Sequence, residues 1–191
     1  VFGSLRCFMA TAGLFADAGL RLAQELIWEK QNGSNFHADR FKRVHELVVQ
    51  FYPAERRWRE IYNVVQTTAE ATARAVRHKQ RPPHTGNIDA GYYVSHDGGP
   101  RIMRSVVFVR NCHGRAIHPT EKPVALLEIV IRTSCPPGGL VGDWFAGSGS
   151  VGEACRLSGR RYVGCEIDAE MAEHARARLA AVLPFDNGGA T

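Results

Sequence analysis

Leu140-Val141-Gly142-Asp143-Trp144-Phe145-Ala146-Gly147-Ser148-Gly149-Ser150-Val151-Gly152 is the stretch on which the fold turns. Residues 140–145 have the short apolar character of a strand, and residues 149–157 that of a helix. The glycines between them allow a tight turn and let a ligand approach the backbone. The start of the following helix adds free N–H groups and a partial positive charge. A second strand over 161–166 and a second helix over 169–183 repeat the rhythm. Strand–helix–strand–helix predicts a parallel, doubly wound α/β sheet. Glu166 closes the second strand, where a carboxylate in such folds hydrogen-bonds a ribose diol. Asp168 reads as the cap of the last helix. Gly147–Gly152 also satisfies G-x-G-x-x-G, so the loop alone admits a nicotinamide dinucleotide as well.

Upstream of the loop, His118-Pro119-Thr120-Glu121-Lys122-Pro123 opens a helix expected over 123–134, with proline in its first turn. Thr120 offers a hydroxyl there, and Lys122 a cation for a carboxylate. Residues 104–109 are a β-branched strand. At the start of the chain, 1–4 reads as the end of a strand. Residues 5–18 form a helix with Leu5, Phe8, Met9, Ala12 and Phe15 at helical spacing and Gly19 at its end. Strands are expected at 25–28 and 47–51, the latter stopped by Pro53. The stretch 55–101 breaks the pattern. Seven basic residues (Arg56, Arg57, Arg59, Arg74, Arg77, Lys79, Arg81) alternate there with Trp58, Tyr62, Tyr92 and Tyr93, punctuated by glycine and proline. It reads as a long, basic, loop-rich insertion.

Composition narrows the class. A chain of 191 residues supports about one domain. Its 45% apolar and 23% charged residues are those of an ordinary globular protein. No apolar run approaches the roughly 20 residues that span a bilayer, and no secretory signal opens the chain. The cysteines (Cys7, Cys112, Cys135, Cys155, Cys165) contain no C-x-x-C pair, so free thiols in a reducing cytoplasm are expected, with no zinc site. A net charge of +5 and a pI of about 9.1 favour an anionic partner, nucleic acid first.

Three motifs resemble one family, the S-adenosylmethionine-dependent DNA amino-methyltransferases. The glycine loop resembles that family's D-P-F-x-G-x-G-T, with Trp144 for proline and Ser150 for threonine. His118–Pro123 resembles its H-P-T-x-K-P segment, which lines the methionine end of the cofactor. Arg161-Tyr162-Val163-Gly164-Cys165-Glu166, continuing to Arg178-Leu179, resembles its closing strand and helix, with Met171 where an aromatic is usual. Leu26–Lys30 and Arg43–Phe51 resemble its W-x-K and H-E strand pair. The resemblance implies a Rossmann-like methyltransferase sheet, here incomplete. It divides the chain into part of the catalytic half (1–54), a DNA target-recognition insertion (55–101), a cofactor-binding half (102–184) and a tail (185–191). It also implies cofactor contacts from His118, Pro119, Thr120, Lys122, Asp143, Phe145, Ala146, Gly147, Ser148, Gly149 and Glu166.

The implied reaction is methyl transfer from S-adenosylmethionine to the exocyclic amine of adenine or cytosine in double-stranded DNA, as in restriction-modification. The family's catalytic tetrapeptide, Asp/Asn/Ser-Pro-Pro-aromatic, does not occur in the chain. The Pro-Pro pairs are Arg81-Pro82-Pro83-His84 and Cys135-Pro136-Pro137-Gly138, without the polar or aromatic ends. The motif order places the tetrapeptide upstream of Val1, on a central strand beside the one ending at Asp143. The sheet is therefore expected to have unpaired inner edges and to need a further segment or chain. Three alternatives remain open at this point: a remnant that holds cofactor or DNA without chemistry, a nicotinamide oxidoreductase, and an RNA rather than a DNA substrate.

Overall fold

Ser4 starts the first helix. β1 (Phe2–Gly3) runs into it, and its hydroxyl accepts from the Cys7 N–H at 3.2 Å, capping α1 (Leu5–Asp17). The computed structural model describes residues 1–34, 38–78, 91–118 and 120–183. The chain divides into two compact units: Val1–Val64 together with the chain from Arg104 onward, and Val65–Met103.

In the first unit, β2 (Leu20–Ser34) and β3 (Arg43–Pro53) form a long antiparallel pair in which Trp28 stands opposite Glu46. The second unit holds β4 (Thr67–Thr68), β5 (Arg74–His78), β6 (Gly91–Ser95) and β7 (Arg101–Ile102). Back in the first unit, β8 (Val106–Phe108) lies parallel to β2, and β1 lies antiparallel to β3. The resulting sheet has the order β1-β3-β2-β8. α2 (Val124–Ser134), β9 (Leu140–Asp143), α3 (Ser150–Leu157), β10 (Arg161–Gly164) and α4 (Ala169–Ala181) follow. β9 and β10 pair in parallel, Leu140 with Arg161 and Asp143 with Gly164.

The core has two clusters joined by α2. Leu126 packs with Trp28 and Val48 of the mixed sheet, and Leu127 and Ile131 pack with Ala154 and Cys155 of α3. Residues 127 and 131 share one helical face and 126 lies beside it, so one helix serves both clusters. Trp28 satisfies its buried indole N–H on the Val109 carbonyl at 2.8 Å. Burial pushes the Cys155 thiol up to about 12, which makes it a packing group.

The parallel α/β half is as expected. The remainder of the first unit is not a parallel sheet. β2 and β3 are sequential strands joined by a short connection, and such strands pair antiparallel. Both are also far longer than the segments expected at 25–28 and 47–51. The insertion is less irregular than its composition suggests: β5 pairs antiparallel with β6, and β4 with β7. Among the described residues of that unit only Ala71 and Ser95 are buried, so backbone pairing holds it more than a core does.

The sheet is divided. Among the described residues, β9 pairs only with β10, and β1 only with β3. Phe2 of β1 and Val141 of β9 nevertheless pack against the same cluster. Two unpaired strand edges thus flank one core.

Candidate functional site

The end of β9 carries the site. Asp143 closes that strand, and its carboxylate accepts from the Phe145 N–H at 3.1 Å. The Ala146 N–H donates to the Cys165 carbonyl at 2.9 Å, which ties the loop to the end of β10. Glu166 then reaches back, accepting from the Gly147 N–H at 2.7 Å through Oε2 and from the Asp168 N–H at 3.0 Å through Oε1. Those two backbone bonds hold its carboxyl below the ordinary range. Asp143 is shifted the other way: burial raises it first, with the Glu166 charge adding to the rise. Asp168 caps α4 as expected, accepting from the Glu170 and Met171 N–H groups.

The two loop glycines have different jobs. Gly149 sits at φ +80°, and a Cβ there would come within 2.9 Å of Ala175 on α4. Gly147 sits at φ +51°, where a Cβ would meet only the His118 ring, at 3.7 Å. Gly149 therefore serves helix packing, while Gly147 brings the loop to the His118 segment and to Glu166. The Gly149 N–H is used by the Ala146 carbonyl, at 2.9 Å. With the Gly147 and Gly149 N–H groups both engaged and two carboxylates alongside, the loop is poorly suited to a pyrophosphate. It suits a ligand carrying hydroxyls and positive charge. Phe145 and Ile167 are fully or nearly fully exposed beside these carboxylates, and Trp144 is largely exposed. They provide apolar faces for a flat ring.

The His118 segment supplies the opposite wall. The Thr120 N–H donates to His118 Nδ1 at 3.3 Å, and the Thr120 hydroxyl lies 3.0 Å from the same nitrogen. Lys122 donates to the Thr120 carbonyl at 2.8 Å and lies 3.8 Å from Glu46, which Lys30 approaches to 3.3 Å. Burial lowers the Lys122 pKa, and the Glu46 charge opposes that shift. Lys122 thus has a carboxylate partner inside the protein. Lys30, Glu46 and Lys122 together line a cavity of about 340 Å³ with Trp28, Asn111 and Thr120. Pro119 lies outside the described residues.

Sequence reasoning gave no role to Glu121 or Arg178, which bind the site together. Glu121 accepts from the Arg178 guanidinium at 2.6 Å, the Ser148 hydroxyl at 2.9 Å and the Ile117 N–H at 3.0 Å. Arg178 also donates to the Ser148 carbonyl and hydroxyl and pairs with Glu153. Burial acts to raise the Glu121 pKa, but the bonds from Arg178, Ser148 and Ile117 outweigh it and hold the carboxyl low. Ser148, assigned to the cofactor from sequence, is buried with its hydroxyl committed to this network. The position of Glu121 is the variable one within H-P-T-x-K-P, so the motif carries no signal for it. Arg178 stood in the quoted closing motif, but only the fold shows what it reaches. Among the described residues no cluster of three or more His, Cys, Asp or Glu could hold a metal ion, and no helix is long and apolar enough to cross a membrane.

A glycine loop at a parallel strand end, a carboxylate two residues past the next strand and a capped helix behind it define a Rossmann-like half. The chain belongs to the N6/N4 DNA methylase family, whose model, described as DNA methylase, matches residues 7–177. The resemblance read from the three motifs is borne out. The DNA adenine methyltransferase YhdJ of Escherichia coli (strain K12) is 45% identical over 62 residues, 32% of this chain and 21% of that protein. YubD of the same strain, which carries a provisional methylase name, is 46% identical over 69 residues, 36% of this chain and 30% of that protein. The chain therefore spans no more than 30% of the length of these curated relatives. Solved structures share the fold. M1.HpyAVI, in a complex with S-adenosylmethionine (SAM), aligns at TM-score 0.64 and 22% identity over 93% of this chain and 72% of that one. The cytosine-N4-specific PvuII DNA methyltransferase aligns at TM-score 0.59 and 17% identity, over 97% of this chain and 59% of that one.

Proposed function

We propose that this chain is the cofactor-binding and DNA-reading part of a SAM-dependent methyltransferase acting on the exocyclic amine of adenine or cytosine in double-stranded DNA. Residues 102–184 hold the cofactor, 55–101 read the DNA, and 1–54 belong to the catalytic half. The catalytic tetrapeptide and its strand come from a segment upstream of Val1 or from another chain, and the site of action is the cytoplasm. The observation that carries the reading is the Glu166 carboxylate, anchored at 2.7 Å by the Gly147 N–H at the mouth of the loop.

SAM supplies, when bound, an activated methyl group on a positively charged sulfur. The residues present fit such a ligand. The Glu166 oxygens accept from backbone N–H groups and keep lone-pair capacity beyond them, so the carboxylate can also accept from a ribose diol. Phe145 and Ile167 shield a flat base from water on its apolar faces. Asp143 and Glu166 set a negative potential that favours a cationic ligand over a dinucleotide phosphate. His118 and Thr120 shape the wall behind Gly147, and Lys122 is kept in place by Glu46. These groups bind and orient; the proton on the target amine is handled outside this chain. Extrusion of the base is implied, because the amine lies inside the duplex.

The test is transfer of tritiated methyl from SAM to unmodified duplex DNA by the intact protein. Label entering DNA, lost in Glu166→Ala, is the expected result. An intact protein that binds SAM and DNA but transfers no label would instead support a binding remnant, the reading favoured by the absent tetrapeptide.

A further inference from the structure

The larger of the two cavities described lies away from the glycine loop. Its volume is about 520 Å³, and Arg6, Arg40, Arg43 and His45 line it with Ser4 and Leu5. β1 pairs with Leu47 and Val48 of β3, and among the described residues the edge of β3 before Leu47 has no strand beside it on that side. Arg43, His45 and Leu47 alternate onto one face, and all three line this opening. The first turn of α1 forms the adjoining wall.

Its charge is unbalanced. Arg40 pairs with Asp39, and the Glu46 at its border is shared by Lys30 and Lys122. Among the described residues, no carboxylate pairs with Arg6 or Arg43. Two uncompensated guanidinium groups facing a concavity suit a phosphodiester, because a guanidinium donates in a planar fork to two oxygens. Glu46 lines this cavity and the cavity of Thr120 and Lys122 alike. The basic opening thus adjoins the segment that walls the glycine loop.

We propose that this cavity holds a backbone phosphate of the DNA and so fixes the duplex beside the methyl donor. The proposal rests on the DNA methyltransferase reading above and adds a contact that lies outside the 55–101 insertion. The phosphate contact positions the DNA and carries no sequence preference.

The experiment is fluorescence anisotropy of labelled duplex DNA with the intact protein, followed across salt concentration. Wild type is compared with Arg6→Gln, Arg43→Gln, their combination, Arg43→Lys, and Arg176→Gln as a charge control on exposed α4. SAM titration of each variant checks the fold. The double variant is expected to lose one phosphate contact: the slope of log K against log salt falls by roughly 0.9, and affinity drops about five- to tenfold near 0.1 M salt, equally for unrelated sequences. Arg43→Lys keeps most of the slope, and SAM affinity does not move. A double variant with the wild-type slope, or an equal loss in Arg176→Gln, overturns the proposal while leaving the methyltransferase reading intact. A wild-type protein without salt-dependent DNA binding overturns both.

Discussion

Arg178 sends its guanidinium to Ser148, Glu121 and Glu153, three residues from three segments of the chain. The Glu121 side chain at the centre is only 4% exposed. Glu121→Ala would leave Arg178 with Glu153 as its one carboxylate and strip the Ser148 hydroxyl and the Ile117 N–H of their acceptor, so it should cost about 2–3 kcal/mol in urea unfolding, and Glu121→Gln clearly less. The two loop glycines separate sharply. Gly149→Ala adds left-handed strain to a collision with Ala175 and should cost about 2–4 kcal/mol; Gly147→Ala, with strain alone, about 1–2. Thermal melts that rank them equally would contradict the roles assigned here. The pH dependence follows from the same residues. Glu121 and Glu166 have folded pKa values below the ordinary glutamate value. Their contribution is complete above about pH 4.3 and lost as pH falls through the folded values. Asp143, raised in the fold by burial, works against them. Stability should fall steeply in acid for the wild type and less steeply for Glu121→Gln with Glu166→Gln. Sequence showed the loop, Glu166 and the Asp168 cap because each occupies a fixed offset from a strand or helix end. It did not show Glu121, whose partners lie 27 and 57 residues away.

At the scale of elements, α3, β10 and α4 were legible because glycines and the Asp168 cap mark where the strand and the helices begin and end. The strands of 65–103 were not, because they are short, mostly exposed and rich in arginine; hydrogen bonds between backbones make them, and no alternation records that. β2 was read as four residues and spans fifteen, since its charged outer part lacks the apolar pattern of its centre. These differences carry over to dynamics. A unit with two buried residues among those described opens locally at low cost. Amides of Ala75, Val76 and Arg77 should therefore exchange with deuterium well before those of Val48 and Val49, which sit between two strands. Equal protection would mean that something further stabilises the β5–β6 pair.

At the scale of the molecule, α1 has no buried residue, and it exposes Leu5, Met9 and Leu14. A helix apolar on most sides is ordinarily covered. Among the described residues the edges of β1 and β9 are unpaired as well, and the further segment proposed above would cover these surfaces. The 191 residues alone should unfold in urea over a broad range with a shallow slope; a sharp transition with an ordinary slope would contradict that. Calorimetric titration of the intact protein with SAM and, separately, with NAD reads out the ligand of the glycine loop. Saturable SAM binding that Glu166→Ala abolishes, without NAD binding, is expected. Saturable binding of NAD with none of SAM would mean that the loop serves a dinucleotide instead.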